Sequence, residues 1–145
     1  MATQTVDKTG FKPKAIVKKL LTALPERSRI VLESRFGLGN SAERVTLEAI
    51  GKRYGITRER VRQIENHALA ALKKSPAFAQ AEAAFEELER IIDGLGGIVC
   101  EEDLLDFMTK DKSMQNHIYF LLVLGDPFKY RKEDDEVNRC WYVDH

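Results

Sequence analysis

Two threonines bracket the stretch that most constrains what this chain can fold into. Thr46 precedes Leu47-Glu48-Ala49-Ile50-Gly51, Thr57 precedes Arg58-Glu59-Arg60-Val61-Arg62-Gln63-Ile64-Glu65, and Tyr54-Gly55-Ile56 lies between. Threonine caps helix starts well because its hydroxyl accepts a hydrogen bond from an amide of the first turn that has no intrahelical partner. The first helix predicted in this way is short, turns Leu47, Ile50 and Gly51 inward and carries Glu48 near its positive end. The second places Val61, Ile64, Ala68, Leu69 and Leu72 on one face at helical spacing and leaves Arg58, Glu59, Arg62, Gln63 and Asn66 on the other.

The outer face of that second helix carries base-reading chemistry. Arginine and glutamine make bidentate hydrogen bonds to purine edges in the major groove, and glutamate accepts from the cytosine amino group. Taken alone, a face rich in Arg and Glu is as often merely solvated. What decides for reading is the order of elements, because a short helix, a Gly-containing turn and a longer helix with a polar N-terminal face make a helix-turn-helix. In that motif the first residues of the second helix enter the major groove. The candidate DNA-binding residues are therefore Arg58, Glu59, Arg60, Arg62, Gln63 and Asn66 on the second helix, with Thr46, Lys52 and Arg53 on the first.

Charge points the same way. The 145-residue chain has zero net charge, yet residues 1–75 hold 16 Lys and Arg against 7 Asp and Glu, a net +9, while residues 76–145 hold 7 against 16, a net −9. A basic half suits a polyanion and an acidic half repels one. The split implies two modules with different partners; it equally lets the halves neutralise one another by docking.

Several function classes are disfavoured. The longest apolar runs, such as residues 118–124, are too short to span a bilayer, and the N-terminus shows no basic region followed by an apolar core. A soluble, cytoplasmic, nucleoid-associated protein without membrane contact is expected. Cys100 and Cys140 are too few for a disulfide framework and read as free thiols; with His67, His117 and His145 scattered they show no metal-ligand spacing. Gly37, Gly39 and Ala42 fit G-x-G-x-x-A formally, but that fingerprint needs a preceding strand and a helix directly behind it, and here the glycines follow a helix. The paired acids Glu101-Glu102-Asp103 and Asp134-Asp135-Glu136 sit where acids cap or meet solvent, so no catalytic residue, cofactor or enzyme activity is expected.

Along the chain, residues 1–12 are polar and read as a mobile tail, and residues 13–75 form the first domain. Its opening helix from Pro13 buries Ile16, Val17, Leu20, Leu21 and Leu24; Pro25 starts a second with Ile30, Val31, Leu32 and Phe36 inside, ended by Gly37. Ser75-Pro76 closes this domain. In residues 76–145, Phe78, Ala81, Phe85, Leu88, Ile92 and Leu95 recur at near-heptad spacing, which fits a core helix better than a coiled-coil dimer because fewer than three heptads are present. Gly94, Gly96 and Gly97 end it. A strand at Ile98-Val99-Cys100, a helix over residues 103–108, another capped by Ser113, and a hairpin of residues 128–131 and 139–143 around the acidic tip Glu133-Asp134-Asp135-Glu136 follow. The expected fold is mainly α: a helix-turn-helix domain joined to a small α+β winged-helix domain.

The residues that carry this reading also resemble a known family. Leu24-Pro25-Glu26-Arg27-Ser28-Arg29, Arg35-Phe36-Gly37-Leu38, Thr46-Leu47-Glu48-Ala49-Ile50-Gly51, residues 57–65 and Ala68-Leu69-Ala71-Leu72 together resemble region 4 of bacterial primary-type sigma factors over residues 16–74. The resemblance implies a module that reads the minus-35 promoter element in double-stranded DNA, with Arg58, Glu59, Arg62 and Gln63 at bases or neighbouring phosphates, and that docks on the beta flap of RNA polymerase. Nothing else in the chain matches the further regions of a sigma factor, so it is not expected to open promoters alone. An alternative reading makes it a polymerase-binding protein that occupies the flap site, with DNA contact incidental. Residues 78–145 resemble the winged-helix domain of the RNA polymerase delta subunit and the HARE-type family, through Gly97-Ile98-Val99, Asp103-Leu104, residues 118–124, Phe128 and Trp141-Tyr142-Val143. Its acidic charge implies a protein partner rather than duplex DNA.

Overall fold

Both bracketing threonines start helices in the computed structural model, which describes residues 12–131 and 139–144. Of the mobile tail expected over residues 1–12, residues 1–11 lie outside the described residues, as does the acidic hairpin tip at residues 133–136. The chain divides into two compact units, one of Lys14–Ala81 and one from Glu82 onward.

The first unit is helical: α1 (Pro13–Leu21), α2 (Glu26–Phe36), α3 (Leu47–Tyr54), α4 (Arg58–Lys73) and α5 (Pro76–Gln80). The Thr46 hydroxyl accepts from the Ala49 amide at 3.1 Å, and the Thr57 hydroxyl accepts from the Arg60 amide at 3.1 Å. Val31, Ile50 and Val61 form the buried centre where α2, α3 and α4 meet, and Val45, Leu47, Tyr54, Ile56 and Ile64 pack around it. Removing each such aliphatic side chain from water stabilises the fold by about 1.5–3 kcal/mol. The buried stripe of α4 continues through Ala68 and Leu72, while Leu69 is half-buried.

Two glycines shape the corner between α3 and α4 for different reasons. Gly55 takes the left-handed conformation that ends α3, with φ of 68°, and the next amide, Ile56, donates back to the Gly51 carbonyl at 2.9 Å. This is the hydrogen-bond pattern that closes a helix on a glycine. Gly51 lies inside α3 and has no unusual torsion. A Cβ there would stand 2.6 Å from the Ile56 carbonyl oxygen, so the turn leading into α4 passes over it at a distance no side chain permits.

Pro76 begins α5 instead of ending a domain. Proline suits a helix's first turn because no amide is needed there, and α5 belongs with the first unit, so the division falls at Ala81. The single helix expected across Phe78 to Leu95 is broken at Ala81, and only its second part, α6 (Glu82–Gly94), carries the buried stripe of Phe85, Leu88 and Ile92.

The second unit continues with β1 (Ile98–Cys100), α7 (Glu101–Met108), α8 (Lys112–Leu124), β2 (Phe128–Arg131) and β3 (Cys140–Val143). The strands form one antiparallel sheet in the order β1-β3-β2, and the order of elements is the one the sequence predicts. Asp111, not Ser113, caps α8: its carboxylate accepts from the Ser113 amide at 3.0 Å and the helix begins at Lys112. Trp141 and Phe120 are buried at its centre. Arg139 donates to the Tyr119 hydroxyl at 2.6 Å and stacks over the Tyr130 ring at 4.5 Å, which fixes the start of β3.

The corner supplies a paired test. Gly51→Ala forces the turn off α3 and is expected to cost about 1–3 kcal/mol. Gly55→Ala meets open space and carries only the left-handed penalty of about 1–2 kcal/mol. Urea unfolding with tryptophan-independent detection reads both losses; in a separate ligand titration of the folded variants, Gly51→Ala should weaken binding by α4 and Gly55→Ala should not.

Candidate nucleic-acid interface

The buried stripe of α4 determines which of its side chains remain outside. With Val61, Ala68 and Leu72 turned inward, Arg58, Glu59, Arg60, Arg62, Gln63 and Asn66 are all exposed and share the outer surface of its first turns. All six predicted residues on this helix are thus brought together.

The helix is held from behind by a pairing the sequence reading did not identify. Arg35 of α2 donates through Nε to Glu65 at 2.7 Å and through Nη1 to the Val45 carbonyl at 3.3 Å, tying α2 to α4 and to the loop before α3. Arg27 stacks over the Tyr54 ring at 4.8 Å, joining α2 to α3. These contacts set α4 against the two helices behind it and leave its outer face unobstructed within this unit.

On that face four of the six polar side chains pair with one another. Arg62 grips the Glu59 carboxylate with two hydrogen bonds, Nε to Oε1 at 3.1 Å and Nη2 to Oε2 at 2.5 Å. Arg60 donates to the Gln63 side-chain carbonyl at 3.3 Å. The hydrogen bonds from Arg62 hold the Glu59 carboxyl below its ordinary range, and the same bonds raise the already basic Arg62 guanidinium. Both groups are solvent-exposed, so the pairing orients the side chains and adds little to stability.

The candidates on α3 are less concentrated. Thr46 stands at its N-terminus with its oxygen engaged as the cap. Lys52 and Arg53 are exposed in its last turn, about 10 Å further along the helix. Lys52 approaches Glu48 at 3.9 Å, both largely in solvent. Only Lys52 and Arg53 stand at the end that leads, through Gly55, Ile56 and Thr57, into α4.

Beside the outer face lies a shallow open groove of about 620 Å³, lined by Ser28 of α2 and by Arg60, Gln63, Ile64, Asn66, His67 and Ala70 of α4. Ser28 and His67 were not among the predicted residues. His67 was available to sequence reasoning, since it follows Gln63 by four positions and so shares its face; Ser28 is sequence-distant and only folding brings it there.

The groove and face offer donors from arginines and acceptors from Glu59 and Gln63, a mixture suited to base edges and phosphates. Among the described residues no cluster of three His, Cys, Asp or Glu side chains is placed to hold a metal ion, and no helix is long and apolar enough to cross a membrane.

Residues 20–74 match the family described as Sigma-70, region 4. Over 65 residues, 45% of this chain, the sequence is 45% identical to the RNA polymerase principal sigma factor HrdD of Streptomyces coelicolor, covering 19% of that protein. Over 67 residues, 46% of this chain, it is 45% identical to the RNA polymerase sigma factor RpoD of Helicobacter pylori, covering 10% of it. Over 57 residues, 39% of this chain, it is 49% identical to the RNA polymerase sigma factor SigA of a Bacillus species, covering 15% of it. The chain therefore spans only 10 to 19% of the length of these curated relatives.

Two measurements probe the face. In a carboxyl-detected NMR titration the Glu59 midpoint should lie below the ordinary glutamate range and rise in Arg62→Ala; the pair is intact above that lowered pKa and lost as pH falls through it. Glu65→Ala removes the acceptor of Arg35 and should cost about 1–3 kcal/mol in denaturant unfolding.

Proposed function

We propose that the protein, whose residues 20–74 match Sigma-70, region 4, is a promoter-DNA-binding transcription factor that associates with RNA polymerase and reads a minus-35-like element with α4. The observation that carries this reading is the exposed face of α4, where Arg58, Glu59, Arg62 and Gln63 stand together at the capped N-terminal end of the second helix of a helix-turn-helix. That is the end which such motifs place in the major groove. The net +9 of residues 1–75 supports it, because cations near the duplex release condensed counterions on binding.

DNA binding on this scheme is an exchange of partners. Arg62 leaves Glu59 for a guanine edge or a phosphate, Glu59 becomes free to accept from a cytosine amino group, and Gln63 leaves Arg60 for an adenine edge. A sequence that offers Arg62 no acceptor leaves the Glu59 pair intact and gains only phosphate contacts.

The second unit serves a different partner. Residues 76–145 carry a net −9, with Glu101, Glu102 and Asp103 in the first turn of α7, and that charge repels a duplex. We take this unit for a winged helix that meets a protein surface, brought to the promoter by the first unit.

The closed pairing of Glu59 with Arg62 and of Arg60 with Gln63 favours one further reading, in which the first unit occupies the beta-flap site of polymerase and touches DNA incidentally. Capture of the isolated flap by the full chain, with and without promoter duplex, separates the two: equal capture in both conditions supports the flap role alone.

For direct reading, affinity for a duplex containing a minus-35-like element should fall steeply between low and moderate salt. Arg62→Ala or Gln63→Ala should cost about 1–3 kcal/mol on that element while leaving a scrambled duplex nearly unchanged. Absence of duplex binding by the wild-type chain at low salt would rule direct reading out.

A further inference from the structure

β1 and β3 hold the chain's two cysteines opposite one another, Cys100 against Cys140. The Glu101 amide donates to the Arg139 carbonyl at 2.8 Å, and this bond, one position outside the two cysteines, makes them a non-hydrogen-bonded pair of the antiparallel ladder. Facing Cα atoms in such pairs come about 4.5 Å apart and their side chains lie closest, within the roughly 4.4–6.8 Å that a disulfide spans. The two Sγ atoms are 3.3 Å apart, with no disulfide between them. Reaching the bond length of about 2.05 Å therefore asks for a small side-chain rotation and no movement of the strands. Cys100 is exposed and Cys140 is buried, so a reagent from solution meets Cys100 first.

We propose that Cys100 and Cys140 form a reversible dithiol–disulfide pair, closed by exchange with a small-molecule disulfide such as oxidised glutathione. The Cys100 thiolate attacks one sulfur of the glutathione disulfide; that S–S bond breaks and one glutathione leaves, taking up the proton Cys100 released. The Cys140 thiolate then attacks Cys100 Sγ, and the second glutathione leaves and is protonated in turn. Two cysteine thiols are oxidised to one disulfide, and one glutathione disulfide is reduced to two thiols. The new bond ties the end of β1, where Cys100 also precedes the first turn of α7, to the start of β3. It encloses α7, α8 and β2 in one covalent loop, which restricts the unfolded chain. Trp141, beside Cys140, donates to the Glu101 carboxylate at 2.8 Å and is the single tryptophan of the chain, so its fluorescence reports on this corner.

The proposal stands independently of DNA reading by α4. The test incubates the full chain with oxidised glutathione, quenches with acid, alkylates and measures intact mass. The wild type should lose two hydrogens, carry neither alkyl group nor glutathione, and return to the dithiol on treatment with dithiothreitol. Its melting temperature should rise by several degrees on oxidation and its tryptophan emission should change. Cys140→Ser should instead accumulate a glutathione adduct on Cys100 and show no rise in melting temperature. A stable adduct on wild-type Cys100 with Cys140 still open to alkylation, a disulfide-linked dimer, or no reaction at all would overturn the proposal.

Discussion

The position of α4 depends on a side chain that is not there. Gly51 lets the Ile56 carbonyl pass where a Cβ would stand only 2.6 Å away, and the whole corner is built on that approach. Ile56 reaches back to the Gly51 carbonyl, Thr57 follows in extended conformation to cap α4, and Val61 drops into the centre shared with Val31 and Ile50. Widening the corner would pull Val61 from that centre and turn the face of Arg58, Glu59, Arg62 and Gln63. The tie from Arg35 to Glu65 then sets the far side of the helix, so α4 is held by steric exclusion at one end and by an ion pair further along. Interiors pack too densely to absorb such changes gradually.

The outer face of α4 has a matching property. Four of its side chains are paired before any ligand arrives, Glu59 with Arg62 and Gln63 with Arg60. Such pairing adds little to stability in solvent, but it gives the face two states: closed on itself, or opened against an acceptor that can outbid Glu59 for a guanidinium. On the proposed reading, discrimination comes from whether the ligand satisfies both halves of a broken pair, since a side chain left without a partner in a dehydrated interface is costly. On the same proposed reading, the opposite charges of the two halves, +9 and −9, confine duplex contact to the first unit.

Most of the first unit was legible from residues alone because its signals are local. A threonine cap, an i, i+3, i+4 apolar stripe and a glycine at a helix end each act within one or two turns, and Thr46, Thr57, Val61 and Gly55 behave as their positions foretell. The inward turn of Gly51 was legible too, though not its cause, which lies in a contact with Ile56 across the corner. Pro76 misled, because proline marks helix starts as well as domain ends and only the packing of α5 tells them apart. Asp111 was passed over for Ser113, two good capping residues only two positions apart with nothing local to rank them. The cysteine pair and the Arg35–Glu65 tie were out of reach for one shared reason: both join residues far apart in sequence, and strand register and helix docking are settled only when the fold closes. The Glu59–Arg62 bond, by contrast, sat in plain view as an i, i+3 pair.

The most direct measurement is an NMR titration of the full chain with a short duplex bearing a minus-35-like element, compared with a scrambled duplex of equal length and salt. Base reading by α4 predicts side-chain shifts concentrated at Arg58, Glu59, Arg62 and Gln63 for the element, including loss of the Glu59–Arg62 hydrogen-bond signature, and only diffuse shifts at lysines for the scrambled duplex. Identical shift patterns with the two duplexes, or an undisturbed Glu59–Arg62 pair at saturation, would contradict it.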